Sequence, residues 1–298
     1  MSGAKNMSKT LRFVLVPKIS HPWCDEVRRG AQMQADTLAK RLGIEIVIEY
    51  MPPSTVDAAV QNGILEQAAV GRPDGIAIDP VDAVTHIAAL QGVASQGIPV
   101  VLFDSPSPSA AFPSVGNDFA EQGTIAAERL VELIGRQGKV AVMKGFPSAP
   151  NHKERYDAQI AVLQKYSGIT IVDGGTDNDD IEVAREQAAS VLALHPDLAG
   201  YLCCDASGPI GIASAIRQAG KVGKVKFVSM DGIRPILEAI RDGVIDSSSA
   251  TKPRMQGSMA ILLLWQATLG MQLPRSIDTG IDLITQENVG EYLGDDNR

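Results

Sequence analysis

Cysteine is scarce in this 298-residue chain, limited to Cys24 and the adjacent pair Cys203 and Cys204. An odd count with one vicinal pair offers no spaced framework, which excludes a disulfide-stapled fold. Aromatic residues make up 4% of the chain, as two Trp, five Tyr and six Phe, so any ring-stacking surface rests on very few side chains. Basic residues are outnumbered, 27 Lys and Arg against 35 Asp and Glu, and that balance argues against nucleic acid as a partner. No apolar run reaches the roughly 18 residues of a membrane-spanning helix; the longest, Met259 to Trp265, fits a short buried helix segment. Met1 to Thr10 is polar and has no apolar secretory core, so either the chain stays in the cytoplasm or a signal has been removed.

Motifs of common chemistries are missing as well. There is no G-x-G-x-x-G after the first apolar run, no phosphate-binding G-x-x-x-x-G-K-[ST] and no G-x-S-x-G nucleophile elbow. The four histidines have no close pairing, and Cys203-Cys204-Asp205 lacks zinc spacing, so neither metal nor cofactor is expected. Buried strand positions account for the cysteines.

What is present is a regular alternation. Hydrophobic residues are 45% and charged residues 21% of the chain, the balance of a globular protein with a sizeable core. Short β-branched runs alternate with amphipathic stretches, the pattern of βαβ units and parallel sheets. Strands are expected at Leu11–Val16, Ile44–Glu49, Gly75–Ile78 and Pro99–Phe103, with three helices between them, completing a first sheet of four strands. After a loop at Asp104–Ser114 the alternation restarts at a helix from Phe119 and continues to a strand at Ile245–Ala250, giving a second doubly wound sheet. The remainder, from Thr251, holds a helix near Arg254–Leu269, a short strand near Ser276–Asp278 and the segment Asp282–Ile284; it is too short for a third domain and must return to the existing ones.

The two halves repeat weakly. Pro73-Asp74 leads a strand ending at Asp79, with Asp104 ending the next strand; Pro196-Asp197 leads a strand ending at Asp205, with Asp231 ending the next. The intervals are 25 and 26 residues. Ligands of open α/β sheets bind at the carboxyl ends of strands, although a single Asp there can equally cap the next helix. Buried carboxylates suit a polyol, because each accepts charge-assisted hydrogen bonds from vicinal hydroxyls. The first βα loop, Pro17 to Cys24, adds Trp23 beside His21 and Lys18, read as an exposed apolar face next to donors that fits a sugar ring. Lys18, Lys153, Arg155, Lys252 and Arg254 fall in or beside loops at strand ends and could balance the carboxylates.

At these residues the chain resembles the type 1 periplasmic binding proteins that deliver sugars to ABC importers, closest to the ribose- and autoinducer-2-binding branch, from about Thr10 to Asn288. His21-Pro22-Trp23-Cys24 stands where ribose binders have Asn-Pro-Phe-Phe, and Lys18 looks like the ligand-contacting lysine of the autoinducer-2 binders. Val100 to Ser105 resembles the segment whose Asp holds sugar hydroxyls, with Ser105 at the usual Arg. Lys153-Glu154-Arg155 resembles Arg-Glu-Arg, placing Lys153 at the ligand and Arg155 in a structural role. Asp205 and Asp231-Gly232 match contacting positions, Thr251 stands at the usual Gln with Lys252 beside it, and Asp179 falls at a usual aromatic.

The resemblance implies an α/β fold of two Rossmann-like lobes with parallel sheets joined by a three-strand hinge. Residues 9–117 with 252–280 would form the N-terminal lobe, and 118–251 with 281–298 the C-terminal lobe. It implies a periplasmic monomer that captures a small sugar, polyol or related hydroxylated compound in the interlobe cleft, with an ABC permease as partner and no catalysis. The expected ligand set is Lys18, His21, Trp23, Cys24, Asp104, Ser105, Lys153, Asp179, Asp205, Asp231, Thr251 and Lys252. Two other classes compete. A sugar-responsive regulator shares the architecture but carries an N-terminal helix-turn-helix, for which ten residues leave no room. An α/β enzyme would use the Asp and Lys groups as acid and base, yet lacks any recognised nucleophile or cofactor motif.

Overall fold

The computed structural model of the protein describes residues 10–105 and 111–294. The interior of the expected loop at Asp104–Ser114 lies outside the described residues. The chain divides into two units. Unit 1 runs to Gly116 and resumes over Pro253–Thr279; unit 2 holds Asn117–Lys252 and resumes at Gly280. The backbone therefore passes from one unit to the other three times.

Unit 1 is built from strands β1 (Thr10–Val16), β2 (Glu45–Tyr50), β3 (Gly75–Ile78), β4 (Val100–Asp104) and β5 (Ser114–Gly116). Its first three helices are α1 (Pro22–Leu42), α2 (Ala58–Val70) and α3 (Ala83–Ala94). Unit 2 continues with α4 (Phe119–Leu133), β6 (Gly138–Lys144), α5 (Pro150–Leu163), β7 (Ile169–Thr176), α6 (Ile181–Leu194) and β8 (Leu198–Leu202). It goes on through α7 (Gly208–Gln218), β9 (Lys226–Met230), α8 (Arg234–Arg241) and β10 (Ser247–Ala250). The last part of the chain returns α9 (Pro253–Thr268) and β11 (Ser276–Asp278) to unit 1, and β12 (Asp282–Thr285) and α10 (Val289–Leu293) to unit 2.

The sheets have strand orders β11-β5-β4-β3-β1-β2 and β12-β10-β9-β8-β6-β7. One order maps onto the other strand for strand, so the repeat in the sequence is a repeat of topology. Every described pairing is parallel except β10 with β12. Each sheet has six strands, so the expected four-strand first sheet is corrected: the short β5 and the distant β11 extend it. β5 falls at the end of the expected loop, and three residues are too short a run to show an alternation of their own.

Burial on both faces explains the near-continuous apolar strands. In unit 1, Val14, Val16, Ile76, Ile78, Val100 and Leu102 pack with Leu65, Ala68 and Ala69 of α2 and Leu90 and Val93 of α3. The opposite face is covered by α9, which lies against β3, β4 and β5, and by α1, which packs on α9. In unit 2, Val140, Val142, Leu202, Val228 and Met230 meet Ala126, Ala127 and Leu130 of α4 and Val162 and Leu163 of α5. Four helices begin where the sequence supplies an Asp cap: Asp57, Asp82, Asp118 and Asp180 each accept from backbone N–H groups of the first turn.

Candidate functional site

In unit 1 the strands β1, β3 and β4 end side by side, and each end carries an ionisable group. Lys18 follows β1, and its Nζ lies 3.2 Å from Asp79 Oδ1 after β3 and 3.4 Å from Asp104 Oδ2 at the end of β4. All three side chains are at least nine-tenths buried. Burial raises the Asp79 pKa, offset by the Lys18 ammonium and reinforced by the Asp104 charge, to about 7. One ammonium between two buried carboxylates cannot neutralise both.

Backbone carriers of the triad are themselves held. Gln61, fully buried on α2, donates through Nε2 to the Pro17 and Asp79 carbonyls and accepts from the Val81 N–H. Asp104 has φ 55°, the left-handed region that Asp and Asn tolerate best among non-glycine residues. Its N–H donates to Gln256 of α9 at 3.0 Å, and the Ser105 N–H donates to Asp79 at 3.3 Å. Gln256 and Gln61 were not in the expected set; a fully buried Gln within an apolar helix face is their only sequence trace.

Unit 2 repeats this device with different chemistry. Asp231, at the end of β9, also has a left-handed φ, 65°. Its Oδ1 accepts from Thr251 Oγ1 at 2.5 Å and from the Thr251 N–H at 3.4 Å, while its carbonyl accepts from Ser248 Oγ at 2.6 Å. Asp205, after β8, accepts through Oδ1 from the Gly208 N–H that opens α7, at 2.9 Å. Beside it stands Asp177, after β7, fully buried and accepting from the Asp179 N–H at 2.9 Å. Burial raises both acids, Asp177 to about 6 and Asp205 well above its ordinary value, and the Asp177 charge adds to the rise at Asp205.

The remaining expected residues fall as follows. Ser105 is buried at the Asp79 end, and Asp179 is partly buried with φ 61° beside Asp177. His21 caps α1, its Nδ1 accepting from the Trp23 N–H at 3.1 Å. Trp23 is 7% exposed and Cys24 5%, which corrects the reading of Trp23 as an exposed face; an indole has much apolar area to lose to water. Lys153 is exposed and tied to Asp157 one turn on. Residues 151, 152, 155 and 159 form the buried stripe of α5 and Lys153 lies opposite it. Arg155 sits within that stripe, bonded to Gln122 at 2.6 Å and to the Cys204 carbonyl at 3.3 Å, with its guanidinium 4.6 Å from the Phe119 ring centre. Lys252 pairs with Asp282 at 2.9 Å, and Arg254 with Glu26 at 2.5 Å.

Asp79 and Asp177 complete the two clusters and were outside the expected set. Asp79 was visible in the repeat as a strand end. Asp177 was hidden in the acidic run Asp177 to Asp180, which reads as a turn and a helix cap, and Asp180 does cap α6. Burial raises the thiols of Cys203 and Cys204 well above their usual range, so neither is a nucleophile at neutral pH. Among the described residues no group of three or more His, Cys, Asp or Glu is arranged to hold a metal ion, and no helix is long and apolar enough to cross a membrane.

Two like, mainly parallel sheets, each with buried ionisable groups at its carboxyl strand ends and joined by three chain passages, define a two-unit α/β ligand-binding protein. The match of residues 13–272 to the periplasmic binding protein domain makes the family specific: the chain belongs to it. It is 27% identical over 240 residues to the D-ribose/D-allose-binding protein of Pseudomonas aeruginosa, covering 77% of this chain and 75% of that protein. The D-allose-binding periplasmic protein of Escherichia coli is 24% identical over 263 residues, 85% of this chain and 83% of that one. Among solved structures, an ABC transporter solute-binding protein from Burkholderia graminis in complex with D-arabinose superposes with a TM-score of 0.89. It is 26% identical and covers 98% of this chain and 99% of its own. One from Agrobacterium vitis bound with α-D-tagatopyranose has a TM-score of 0.85 at 25% identity, covering 94% and 96%.

Proposed function

We propose that the protein is the solute-binding component of an ABC importer, acting outside the cytoplasmic membrane, and that its solute is a small sugar or related polyhydroxylated compound. The observation that carries this reading is the placement of buried carboxylates at the carboxyl strand ends of both units, on the left-handed residues Asp104 and Asp231. Such oxygens accept from ring hydroxyls, and Lys18 adds a donor for a ring or hydroxyl oxygen. Family membership and the sugars named for its relatives support the same chemistry. Capture requires no bond to be made or broken: affinity for one arrangement of the units shifts their equilibrium, and a permease can respond to that arrangement. The chain works as a monomer in this reading.

Differential scanning fluorimetry against pentoses, hexoses and alditols, followed by calorimetry, is the test, since a solute that binds the native state alone raises the melting temperature. Asp104→Asn and Asp231→Asn keep side chains that tolerate a positive φ and lose only the charge. Each loss of a charge-assisted bond should weaken binding by about ten- to a hundredfold. If a single solute engages both units, the two variants, one in each unit, both lose it. Unchanged affinity in either variant removes that residue from the site, and absence of binding across the panel overturns the reading.

A further inference from the structure

The carboxylate pairs of the two units differ in one respect. In unit 1, Asp79 and Asp104 share the Lys18 ammonium. In unit 2, Asp177 and Asp205 meet over Gly208, where an added Cβ would lie 2.6 Å from Asp205 Oδ1 and 2.9 Å from Asp177 Oδ2. Both side chains are at least nine-tenths buried, and among the described residues neither has a cationic partner. Each uses one oxygen on a backbone N–H; among the described residues Oδ2 of each meets no N–H or ammonium donor, and the two carboxyls lie within hydrogen-bonding reach of each other. Nearby cations are committed elsewhere: Lys144 to Asp173 and the face of Tyr156, and Arg155 to Gln122 and the Cys204 carbonyl. His152 Nδ1 accepts from the Phe146 N–H, so that nitrogen has no proton to offer.

A second, independent orphan belongs to the same strand end. Gln159, fully buried on α5, donates Nε2 to the Cys203 carbonyl at 2.7 Å, two residues before Asp205. That bond fixes the amide orientation, because a carbonyl cannot accept from Oε1, and among the described residues Oε1 is left with no donor. The end of β8 thus carries a surplus of buried acceptors. A hydroxyl both donates and accepts, whereas a protonated amine has three donors and no acceptor.

We propose that the Asp177–Asp205 pair seats a protonated amino group of the solute, so that the protein favours an aminated sugar or polyol over its neutral parent. This deepens the solute-capture reading and rests on it. In unit 1 the chain supplies its own ammonium to a buried carboxylate pair; in unit 2 the solute supplies it. Buried charges persist when paired, and a charge-assisted contact is about twice as strong as a neutral one.

Calorimetry of the full chain at about pH 6.5, where a sugar amine is protonated, tests this with D-glucosamine, D-galactosamine and D-mannosamine. Each is compared with its parent hexose and its N-acetyl derivative. At least one amine should bind about tenfold or more tightly than both its comparators. In Asp177→Asn and Asp205→Asn, checked for folding by circular dichroism, the ratio of amine to parent affinity should fall to about one. Parent hexoses that bind as well as the amines overturn the amine subsite while leaving solute capture standing. A preference that survives in both folded variants overturns the assignment to this pair. Should a variant not fold, the comparison of amine with N-acetyl derivative on the unaltered chain still decides, and failure of every probe overturns both readings.

Discussion

At the residue scale, the strand ends concentrate groups whose charged form is disfavoured. Asp177 is raised to about 6 and Asp79 to about 7 by burial. An acid whose pKa is higher folded than unfolded contributes stability below its unfolded value, near 4, and loses it as pH rises through the folded value. These residues should therefore cost stability increasingly between about pH 4 and 7. Asp177→Asn removes one such charge, keeps an oxygen for the Asp179 N–H, and offers an N–H toward Asp205. Its melting temperature should match the unaltered chain at about pH 4 and exceed it at about pH 8, by on the order of 1 kcal/mol of stability. A constant difference across that range would remove the carboxylate of Asp177 as its source. Trp23 belongs to the same scale: at 7% exposure its fluorescence should resist quenching by iodide in the solute-free protein, and ready quenching would return the ring to the surface.

Among elements, the closest approaches are made by glycines where helices cross. A Cβ on Gly30 of α1 would lie 1.9 Å from the Arg254 carbonyl of α9, and one on Gly257 of α9 would lie 1.9 Å from the Val27 carbonyl of α1. Unit 2 repeats the device where Gly123 of α4 faces the Arg155 carbonyl of α5, at 2.4 Å. Helix propensity alone favours Ala at these sites by about 1 kcal/mol, so tertiary contact is the reason for glycine. Gly30→Ala and Gly257→Ala should each destabilise by about 1–3 kcal/mol, as overpacked cores do. Gly63→Ala, on α2 with nothing within 4 Å, should stabilise by up to about 1 kcal/mol. Chemical denaturation of the three variants checks the contrast; destabilisation by Gly63→Ala would show that propensity is not the governing term there. Much at this scale was legible in the sequence: β3 and β11 begin and end where the alternation places them. β5, at the end of the expected loop, and the five-residue α10, less than two helical turns long, were not.

The whole molecule is discontinuous, and that sets its cooperativity. Unit 1 needs α9 and β11 from the far end of the chain: Gln256 holds the Asp104 N–H, Leu264 packs over Gly75, and β11 pairs with β5. Truncation after Lys252 should leave unit 1 with an uncovered sheet face. The expected result is loss of soluble, cooperatively unfolding protein in expression and calorimetric trials, and a truncated chain with native circular dichroism would contradict it. The sequence by itself determined the α/β class, the doubled order of elements and the presence of Asp79, Asp104, Asp205 and Asp231 at strand ends, because these follow from periodicity and from the spacing of the repeat. Only the tertiary structure decided that Lys18 bridges two carboxylates, that Asp177 joins Asp205, and that Lys153 turns outward on α5. Partners brought together across 28 to 86 residues leave no local pattern, and which face a side chain takes depends on the packing around its helix.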